Sequence, residues 1–270
     1  MAKIVNNIFA ESCFKTIDRI IDAGGQVDIV LTSPPYNTGR HSTSERSRNN
    51  REGRYDIHID NMTDDEYLSW TVDLFNNFDK ILKPNGVILY NVSYSTDMQN
   101  MCETYNPHEL MWRMVNDIIT QTNFTTADCI IWKKSSALPN NTSSNKLTRI
   151  IEYIYVFVRK SEFKTFHSNK EIKSISKTGQ KFYENVFNFI EAPNNDGSTK
   201  LNKATYSSLL CEKLLKIYAK PKSIVYDCFM GTGTTAVACK RLGHYYIGSE
   251  ISQAQVDYAN ERINSVEGVV

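Results

Sequence analysis

The segment from Ile224 to Ala236 constrains the fold of this 270-residue chain more than any other. A short apolar stretch is followed by a turn containing Gly231 and Gly233, and then by the start of a helix. Glycines let the backbone of such a turn approach a ligand closely, and the free N–H groups of a helix start favour an anionic group. The segment predicts a strand–turn–helix unit of a nucleotide-binding α/β fold, with a tight, ligand-free packing turn as the alternative.

The same segment formally satisfies the glycine fingerprint of dinucleotide-binding domains through Gly231, Gly233 and Ala236. Glu250 ends the next predicted strand, where an acid meets ribose hydroxyls in nucleotide folds. A dinucleotide domain needs several more strand–helix units after its fingerprint, and only one strand and one helix follow here. We therefore expect earlier strands to complete the sheet, which disfavours a nicotinamide enzyme.

Strands and helices are predicted to alternate along the chain. Apolar runs predict strands at 27–31, 87–92, 127–132, 151–158, 223–226 and 244–249. Helical spacing and capping signals predict helices that start after Thr63, at Pro107 and near residues 207, 233 and 252. Such alternation indicates a mostly parallel sheet covered on both faces. Residues 159–200 are lysine-rich and weakly patterned, so they are predicted to form an insertion outside the main sheet.

Residues 32–36, Thr-Ser-Pro-Pro-Tyr, follow directly on the predicted strand 27–31. The two prolines fix φ and remove backbone donors, and Pro34 also restricts Ser33 to extended geometry. The chain is therefore expected to leave the sheet as a rigid turn bearing two acceptors and the Tyr36 ring. A diproline surface turn with a buried tyrosine is the structural alternative.

That turn suits the chemistry of an aromatic amine, whose nitrogen is a poor nucleophile because its lone pair is delocalised. Acceptors on both N–H groups, the Ser33 hydroxyl and the Pro34 carbonyl, would favour a pyramidal nitrogen and stabilise its developing charge. A base must leave the duplex to reach such a turn. Stacking on Tyr36 would then contribute about 1–3 kcal/mol.

Together the two motifs resemble those of the amino-methyltransferase family of DNA-modifying enzymes. The Ser-Pro-Pro-Tyr element precedes the glycine element, which is similar to the β group with its circularly permuted motif order. The resemblance implies a Rossmann-like, mostly parallel seven-stranded sheet and methyl transfer from S-adenosyl-L-methionine (AdoMet) to the exocyclic amino group of a flipped DNA base. It implies a catalytic half at 1–158 with a DNA-contacting loop at 37–61, a target-recognition insertion at 159–200, and an AdoMet-binding half at 201–270.

The resemblance also assigns roles to individual residues. The catalytic residues are expected to be Ser33, Pro34, Pro35 and Tyr36. The AdoMet-binding residues are expected to be Ala10, Glu11, Thr32, Thr205, Asp227, Phe229, Gly231, Thr232, Gly233, Thr234 and Glu250. The DNA-binding residues are expected to be Arg40, Arg46, Arg48, Arg51, Arg54, Trp132, Lys133, Pro139 and Asn140. A structural role is as much expected as direct contact for Ala10, Glu11, Trp132, Lys133, Pro139, Asn140 and for Glu152, which matches a glutamate behind the target pocket.

The chain departs from the family pattern at 202–207, Asn-Lys-Ala-Thr-Tyr-Ser, in place of a His-Pro-x-x-Lys-Ser/Pro element. The missing residues belong to the carboxylate end of the cofactor pocket, where Thr205 or Tyr206 is expected to substitute. Ser33 stands where many relatives have aspartate, which is similar to the cytosine-N4 enzymes, and adenine N6 is the alternative target. An RNA or protein-amide methyltransferase and a lapsed, binding-only relative also stay open.

The overall composition is that of an ordinary globular protein, with 41% hydrophobic residues and a net charge of +1. The stretch 37–55 nevertheless carries five arginines against Glu45 and Glu52, so it is predicted to clamp phosphates, a solvated loop being the alternative. Six dispersed cysteines without a C-x-x-C pair predict reduced thiols and no metal site. We expect a cytoplasmic, nucleoid-associated bacterial or phage protein without membrane contact, a homodimer as one arrangement, and any cognate restriction endonuclease on a separate chain.

Overall fold

The computed structural model describes residues 1, 3–36, 62–93, 107–136, 147–148, 150–197 and 205–267. Within these ranges the chain forms ten strands and six α-helices. In chain order they are β1 (Asn7–Ala10), α1 (Cys13–Asp22), β2 (Val27–Thr32), α2 (Asp64–Ile81), β3 (Leu82–Val92), α3 (Pro107–Gln121), β4 (Phe124–Lys134), β5 (Ile151–Arg159), β6 (Ile172–Ile175), β7 (Lys181–Tyr183), β8 (Phe189–Ala192), α4 (Ser208–Tyr218), β9 (Ile224–Asp227), α5 (Thr234–Leu242), β10 (Tyr245–Glu250) and α6 (Gln253–Asn264).

Eight strands form one sheet in the order β1-β10-β9-β2-β3-β5-β4-β8. Every neighbouring pair is parallel except those involving β5, which runs antiparallel to both β3 and β4. The expected α/β fold with a mostly parallel sheet is therefore confirmed. The sheet has one strand more than the resemblance implies, because β8 pairs with the edge of β4.

The strand order reverses between β2 and β9, which lie side by side although they are far apart in sequence. From β2 the chain crosses through α2 to β3 on one side, and from β9 it crosses through α5 to β10 on the other. Such a reversal leaves a crevice at the carboxyl ends of the two strands, where open α/β sheets bind ligands. Both motifs from the sequence leave the sheet at this position.

Apolar side chains cover both faces of the sheet. On one face, α1, α2 and α3 contribute residues such as Ile17, Phe75 and Ile118 to the core. On the other face, α4, α5 and α6 pack with residues such as Leu214 and Val237. The fold is thus a three-layer sandwich, whose predicted elements are confirmed to within a few residues, except at the start of β3.

Two local predictions have different outcomes. The capping box at the start of α2 is confirmed, because the Thr63 side chain accepts from the Glu66 N–H while the Glu66 carboxylate accepts from the Thr63 N–H. The strand predicted at 87–92 instead begins five residues earlier, since β3 pairs with β2 from Leu82 onward.

The segment 159–200 is only partly an insertion. Strands β6 and β7 form a separate, exposed two-stranded sheet. Strand β8 joins the main sheet instead, which corrects the expectation that the whole segment lies outside it. Its alternating burial, with Ile190 and Ala192 turned to the core, explains why these four residues extend the sheet. Among the described helices, none has the length and apolarity that crossing a membrane requires.

Candidate active site

The polar residues of interest lie at one end of the sheet, where the parallel strands have their carboxyl ends. The antiparallel β5 starts at this same end, so residues from six strands lie along it. They are Thr32 and Asn91 at the ends of β2 and β3, Lys134 at the end of β4, Glu152 at the start of β5, and Asp227 and Glu250 at the ends of β9 and β10.

The turn at residues 33–36, predicted to be catalytic and called the catalytic turn below, is held at this end of the sheet by a hydrogen-bonded cluster. The Ser33 Oγ and Tyr36 hydroxyl oxygens are 2.8 Å apart, and the Tyr36 hydroxyl lies 3.4 Å from Glu152 Oε2. Asn91 Nδ2 lies within hydrogen-bond distance of Ser33 Oγ at 3.2 Å, Tyr36 OH at 2.8 Å and Glu152 Oε2 at 3.1 Å, so its two hydrogens are shared among these three acceptors. The two predicted side chains therefore meet two residues from β3 and β5, one of which, Asn91, the sequence reasoning missed.

A buried ion pair lies behind this cluster. Lys134 Nζ lies 2.5 Å from Glu152 Oε1, and both side chains are about nine-tenths buried. The ammonium also lies 4.9 Å from the centre of the Trp132 ring. Burying an unpaired carboxylate is costly, and the lysine offsets this cost. The neighbouring Lys133, which the family resemblance points to, instead pairs through its ammonium with Glu191 of the edge strand β8 at 3.0 Å.

Helix α2 contacts both turns. The Tyr67 hydroxyl donates to the Pro35 carbonyl oxygen at 2.8 Å, which anchors the diproline turn. One helical turn later, Trp70 packs against Phe229 of the glycine turn, with ring centroids 5.7 Å apart. Neither aromatic residue was singled out from the sequence, because their helical spacing looks the same as that of ordinary core residues.

The glycine turn has the geometry that its sequence predicts. Gly231 and Gly233 have φ values of +53° and +83°, in the left-handed region that favours glycine. A Cβ on Gly233 would also come within 2.9 Å of the Ala259 Cβ of α6. Between the two glycines, the Thr232 hydroxyl is buried and has no hydrogen-bond partner among the described residues. Such an orphaned hydroxyl fits a turn that closes around a polar ligand.

Glu250 closes the glycine turn from β10. Its Oε2 accepts from the Gly231 N–H at 2.9 Å, and its Oε1 accepts from the Ser252 N–H at 3.0 Å. Burial raises the pKa of the Glu250 carboxyl above its ordinary value, although the two backbone donors act in the opposite direction. Each carboxylate oxygen keeps acceptor capacity for a further donor such as a ribose hydroxyl.

Asp227, at the end of β9, joins the two turns. Its carboxylate accepts from the Thr32 hydroxyl at 2.7 Å, the Tyr206 hydroxyl at 3.0 Å, the Thr235 hydroxyl at 2.5 Å and the Phe229 N–H at 3.1 Å. The side chain is fully buried, and this burial raises the pKa of the Asp227 carboxyl. Asp227 therefore fixes the residue that precedes the catalytic turn to the base of the glycine turn.

The segment that departs from the family pattern contributes Tyr206 to this cluster. Its buried hydroxyl bonds both Asp227 and Thr235, while the adjacent Thr205 is only half-buried. Of the two residues expected to substitute there, Tyr206 is the one that bonds residues on both sides of the glycine turn. Thr234, which starts α5, accepts a 3.1 Å hydrogen bond from Arg262.

Ala10 and Glu11 follow the end of β1, next to β10. Ala10 pairs in register with Glu250, which brings this corner to the same edge. The Glu11 carboxylate bonds Arg19 at 3.0 and 2.9 Å and Thr16 at 3.0 Å. The bond with Arg19 is the main reason why the pKa of Glu11 is lowered. This corner therefore lies beside Glu250, the acid predicted to meet ribose hydroxyls.

The expected DNA-contacting residues are only partly described. Trp132 is 1% exposed, and its indole Nε1 donates to the Ala192 carbonyl oxygen at 3.2 Å. This geometry is compatible with a structural role, which is one of the two roles expected for it. Lys133, also described, pairs with Glu191 as noted above. The other predicted contacts fall outside the described residues: Arg40, Arg46, Arg48, Arg51, Arg54, Pro139 and Asn140.

Metal ligation has no support within the described part of the chain, which contains no cluster of three or more His, Cys, Asp or Glu side chains arranged for an ion. Five of the six cysteines are described, and all five are free thiols: Cys13, Cys129, Cys211, Cys228 and Cys239. Burial raises the pKa of Cys13 to about 11, so its thiol stays protonated at neutral pH.

Comparisons with known proteins agree with this geometry. M.BglII, a type II methyltransferase of Bacillus subtilis, is 25% identical over 90% of this chain and 66% of its own length. The cytosine-N4-specific PvuII DNA methyltransferase superposes with a TM-score of 0.68 at 15% identity, covering 97% of this chain and 87% of that one. The complex of M1.HpyAVI with SAM superposes with a TM-score of 0.59 at 21% identity, covering 96% and 98%.

A family model described as DNA methylase, of the N6/N4 methyltransferase class, matches residues 27–261. Enzymes of this class use S-adenosyl-L-methionine, which agrees with the cofactor that the motifs imply. Both turns and the switch point between β2 and β9 lie within the matched range. The chain therefore belongs to the N6/N4 DNA methylase family.

Proposed function

We propose that this chain transfers a methyl group from AdoMet to the exocyclic amino group of a flipped DNA base, with cytosine N4 as the preferred target. One observation carries the proposal. The catalytic turn and the glycine turn follow neighbouring parallel strands, and the hydroxyl of Thr32 bonds the carboxylate of Asp227 between them. Acceptors for an amine and a turn for a cofactor therefore share one crevice.

The residues of the glycine turn fit AdoMet. The left-handed glycines let the backbone approach the ligand, and Glu250 retains acceptor capacity for ribose hydroxyls. Within the described part of the chain, the buried Thr232 hydroxyl has no hydrogen-bond partner, so it is available to a polar ligand. Phe229 and the rigid corner at Ala10 complete the proposed pocket. When bound, AdoMet supplies an electrophilic methyl group on a positively charged sulfur.

The residues of the catalytic turn prepare the amine. The Ser33 hydroxyl and the Pro34 carbonyl accept the two N–H groups, which favours a pyramidal nitrogen with its lone pair free. The same acceptors stabilise the positive charge that develops on the nitrogen during transfer. Pro35, anchored by Tyr67, keeps the turn rigid, and the Tyr36 ring offers a surface on which the base stacks.

Cytosine N4 is proposed over adenine N6 because the turn begins with a serine. Ser33 is similar to the residue at this position in cytosine-N4 enzymes, whereas adenine-N6 enzymes more often carry aspartate there. The structural likeness to the cytosine-N4-specific PvuII enzyme is compatible with this preference. Adenine N6 is the second candidate, because its amino group presents the same two N–H donors.

DNA contact is proposed for the arginine-rich stretch 37–54 and for the segment 159–200. Replacing Arg46, Arg48 and Arg51 with alanine is expected to weaken DNA binding and to flatten its salt dependence, because each lost phosphate contact reduces the slope of log K against log salt by about 0.9. Fluorescence anisotropy across a salt series measures this slope. An unchanged slope would remove the clamp from the proposal. Homodimer formation, a separate cognate endonuclease and nucleoid association stay predictions.

Mass spectrometry of nucleosides tests the function. DNA is incubated with the purified chain and AdoMet, digested to nucleosides and analysed, with RNA and a protein extract as parallel substrates. We expect N4-methylcytosine in DNA alone. N6-methyladenine would replace the base assignment while keeping the chemistry. Methylation of RNA or protein instead of DNA, or no AdoMet binding, would overturn the proposal.

A further inference from the structure

The cluster behind the catalytic turn has a fixed hydrogen-bond direction. The Glu152 carboxylate, ion-paired with Lys134, can only accept hydrogen bonds. Its Oε2 is approached by Asn91 Nδ2 at 3.1 Å and by the Tyr36 hydroxyl at 3.4 Å. The amide of Asn91 must therefore turn its NH₂ group toward Glu152, because the opposite orientation would direct two acceptors at each other.

The direction of hydrogen-bond donation is set in the same way for the hydroxyl groups of Tyr36 and Ser33. With its hydrogen directed to Glu152, the Tyr36 oxygen is an acceptor for Asn91 Nδ2 at 2.8 Å and for the Ser33 hydroxyl at 2.8 Å. The Ser33 hydrogen is thereby committed to Tyr36. A serine oxygen has two acceptor positions, and Asn91 Nδ2 approaches one of them at 3.2 Å. One acceptor position on Ser33 is left for the substrate.

We propose that Glu152 is a positioning residue that makes Ser33 a hydrogen-bond acceptor toward the base and so selects an amino group over a carbonyl at the reacting position. This inference rests on the proposed function, in which Ser33 receives an N–H of the base. Glu152 does not touch the base, since Tyr36 and Ser33 stand between them. It acts by setting the direction in which both hydroxyls point.

Lys134 has a distinct part in this arrangement. Its ammonium lies 2.5 Å from the Glu152 oxygen that faces away from Tyr36, so it compensates the buried charge without competing for the hydroxyl chain. Removing one member of a buried ion pair leaves an uncompensated charge, which is strongly destabilising. Loss of either member breaks the pair, but the carbonyl oxygen of a glutamine at position 152 can still accept from Lys134 Nζ while its NH₂ group faces Tyr36. Glu152→Gln is therefore the sharper change.

Glutamine at position 152 keeps the size of the side chain but adds a donor. Its NH₂ group can point at the Tyr36 oxygen, so that the Tyr36 hydrogen turns to Ser33 and the Ser33 hydrogen turns to the base. The Ser33 O–H and the N–H of the base would then face each other as two donors, whereas in the wild type the Ser33 oxygen accepts from the base N–H. We expect Glu152→Gln to lower kcat about 100-fold, the lower end of the cost of removing one transition-state hydrogen bond.

The test compares Glu152→Gln with Glu162→Gln. Glu162 follows the other end of β5, its side chain is similarly buried, and it pairs with a basic side chain as Glu152 does, in this case that of Arg159. We expect the control to keep wild-type kcat, and both variants to keep wild-type AdoMet affinity. Glu152→Gln is also expected to lower Tm, because it leaves the buried Lys134 ammonium without its counter-charge. A Glu152→Gln variant with unchanged kcat, or with kcat and AdoMet affinity falling together, would overturn the proposal.

A double-mutant cycle distinguishes an orienting effect of Glu152 on the Ser33 hydroxyl from a purely structural role of Glu152. If Glu152 acts through Ser33, then Glu152→Gln adds no loss on a Ser33→Ala background, because residues that act as a unit are not additive. Additive losses would contradict the proposal. Should Glu152→Gln fail to fold, Tyr36→Phe carries the test: it keeps the ring but breaks the chain, so kcat is expected to fall while DNA binding stays. An unchanged kcat for Tyr36→Phe would overturn the proposal.

Base analogues give a readout that a purely structural role would not move. At a methylated site mapped in the wild-type reaction, the target base is replaced by its carbonyl analogue, uracil for cytosine or hypoxanthine for adenine. We expect wild type to bind the amino base more tightly than the carbonyl base, and Glu152→Gln to lose this preference. An equal preference in both proteins would overturn the proposal. Absence of methylation by wild type would instead fail the proposed function itself.

Discussion

The two turns at the switch point are held in different ways. The catalytic turn at 33–36 is fixed by side chains from three other strands or helices, through Tyr67, Asn91 and Glu152. The glycine turn at 228–233 is shaped mainly by its own backbone, with left-handed glycines and N–H groups that bond Asp227 and Glu250. One turn depends on hydrogen-bond direction, and the other depends on conformation and close approach.

This difference separates the expected consequences of substitution. Side chains that direct acceptors at an amine act in the transition state, so their loss lowers kcat. Backbone that encloses a cofactor acts in the ground state as well, so its distortion lowers affinity and stability. Asp227 is where the two effects meet, because it bonds Thr32 before one turn and Phe229 in the other.

The largest effect is expected at the catalytic turn. Ser33→Ala removes an acceptor for the amine, and Tyr36→Ala removes the stacking surface together with the hydroxyl that orients Ser33. We expect each to lower kcat about 10²- to 10³-fold, with AdoMet affinity unchanged. Single-turnover kinetics and calorimetric AdoMet titration measure the two quantities. Ser265→Ala, on the exposed end of α6, is the control. Equal losses in kcat and affinity would contradict the assigned roles.

The next effect is a pH dependence of AdoMet binding at Glu250. Burial raises the pKa of this carboxyl, and only the ionised form offers all its acceptor positions to ribose hydroxyls. Affinity should therefore be constant at high pH and fall as the pH drops through the raised pKa, at a higher pH than for an ordinary glutamate. Glu250→Gln should bind about 1.5–3 kcal/mol more weakly and lose this dependence.

Calorimetric titration at a series of pH values checks the Glu250 prediction, with the exposed Glu261→Gln as the control. A variant that keeps the wild-type pH profile would assign the titration to another group. Binding that strengthens as the pH falls would contradict the role of the ionised carboxylate.

A smaller effect is expected from the backbone of the glycine turn. Gly233→Ala places a side chain at φ +83° and within 2.9 Å of Ala259, whereas Gly243→Ala meets only a positive φ of +69° and open space. We expect Gly243→Ala to cost about 1–2 kcal/mol of unfolding free energy. Gly233→Ala should cost more and should also weaken AdoMet binding. Denaturant unfolding and AdoMet titration measure both, and equal behaviour of the two variants would refute the close-approach argument.

The two turns show which parts of the candidate site can be predicted from the sequence. Both turns are contiguous motifs, and a motif between a strand and a helix predicts its own local geometry. The supporting cluster is not contiguous: Asn91 meets Glu152 only because the antiparallel β5 starts where β3 ends. No local pattern reveals that pairing, so Asn91 was missed.

A period-two signal was nevertheless present at the strand ends. Along β3 the core-facing row of Val87 and Leu89 continues to Asn91, and along β4 the row of Ile130 and Trp132 continues to Lys134. A polar residue that continues such a row to the end of its strand lies at the candidate site, on the same face of the sheet as the apolar residues before it. This rule selects Lys134 rather than Lys133. The four-residue strand β8 was too short for its alternation to stand out.

The smallest effect is expected at Tyr206. Tyr206→Phe removes one of four donors to the Asp227 carboxylate, leaving the bonds from Thr32, Thr235 and Phe229. We expect a loss of about 1 kcal/mol in unfolding free energy and a modest loss of AdoMet affinity, with kcat retained. Thermal unfolding and AdoMet titration measure these, with the exposed Tyr183→Phe as the control. A large loss of kcat would place Tyr206 in the catalytic half of the comparison instead.

The central claim is that both turns act on one reacting pair of groups. A crystal structure of the chain with DNA and an AdoMet analogue that cannot donate its methyl group tests this most directly. We predict an extruded base whose amino nitrogen lies within hydrogen-bond distance of Ser33 Oγ, with the analogue in the glycine turn and its reactive position facing that nitrogen. A base stacked in the duplex, or an analogue bound away from residues 228–233, would contradict the account.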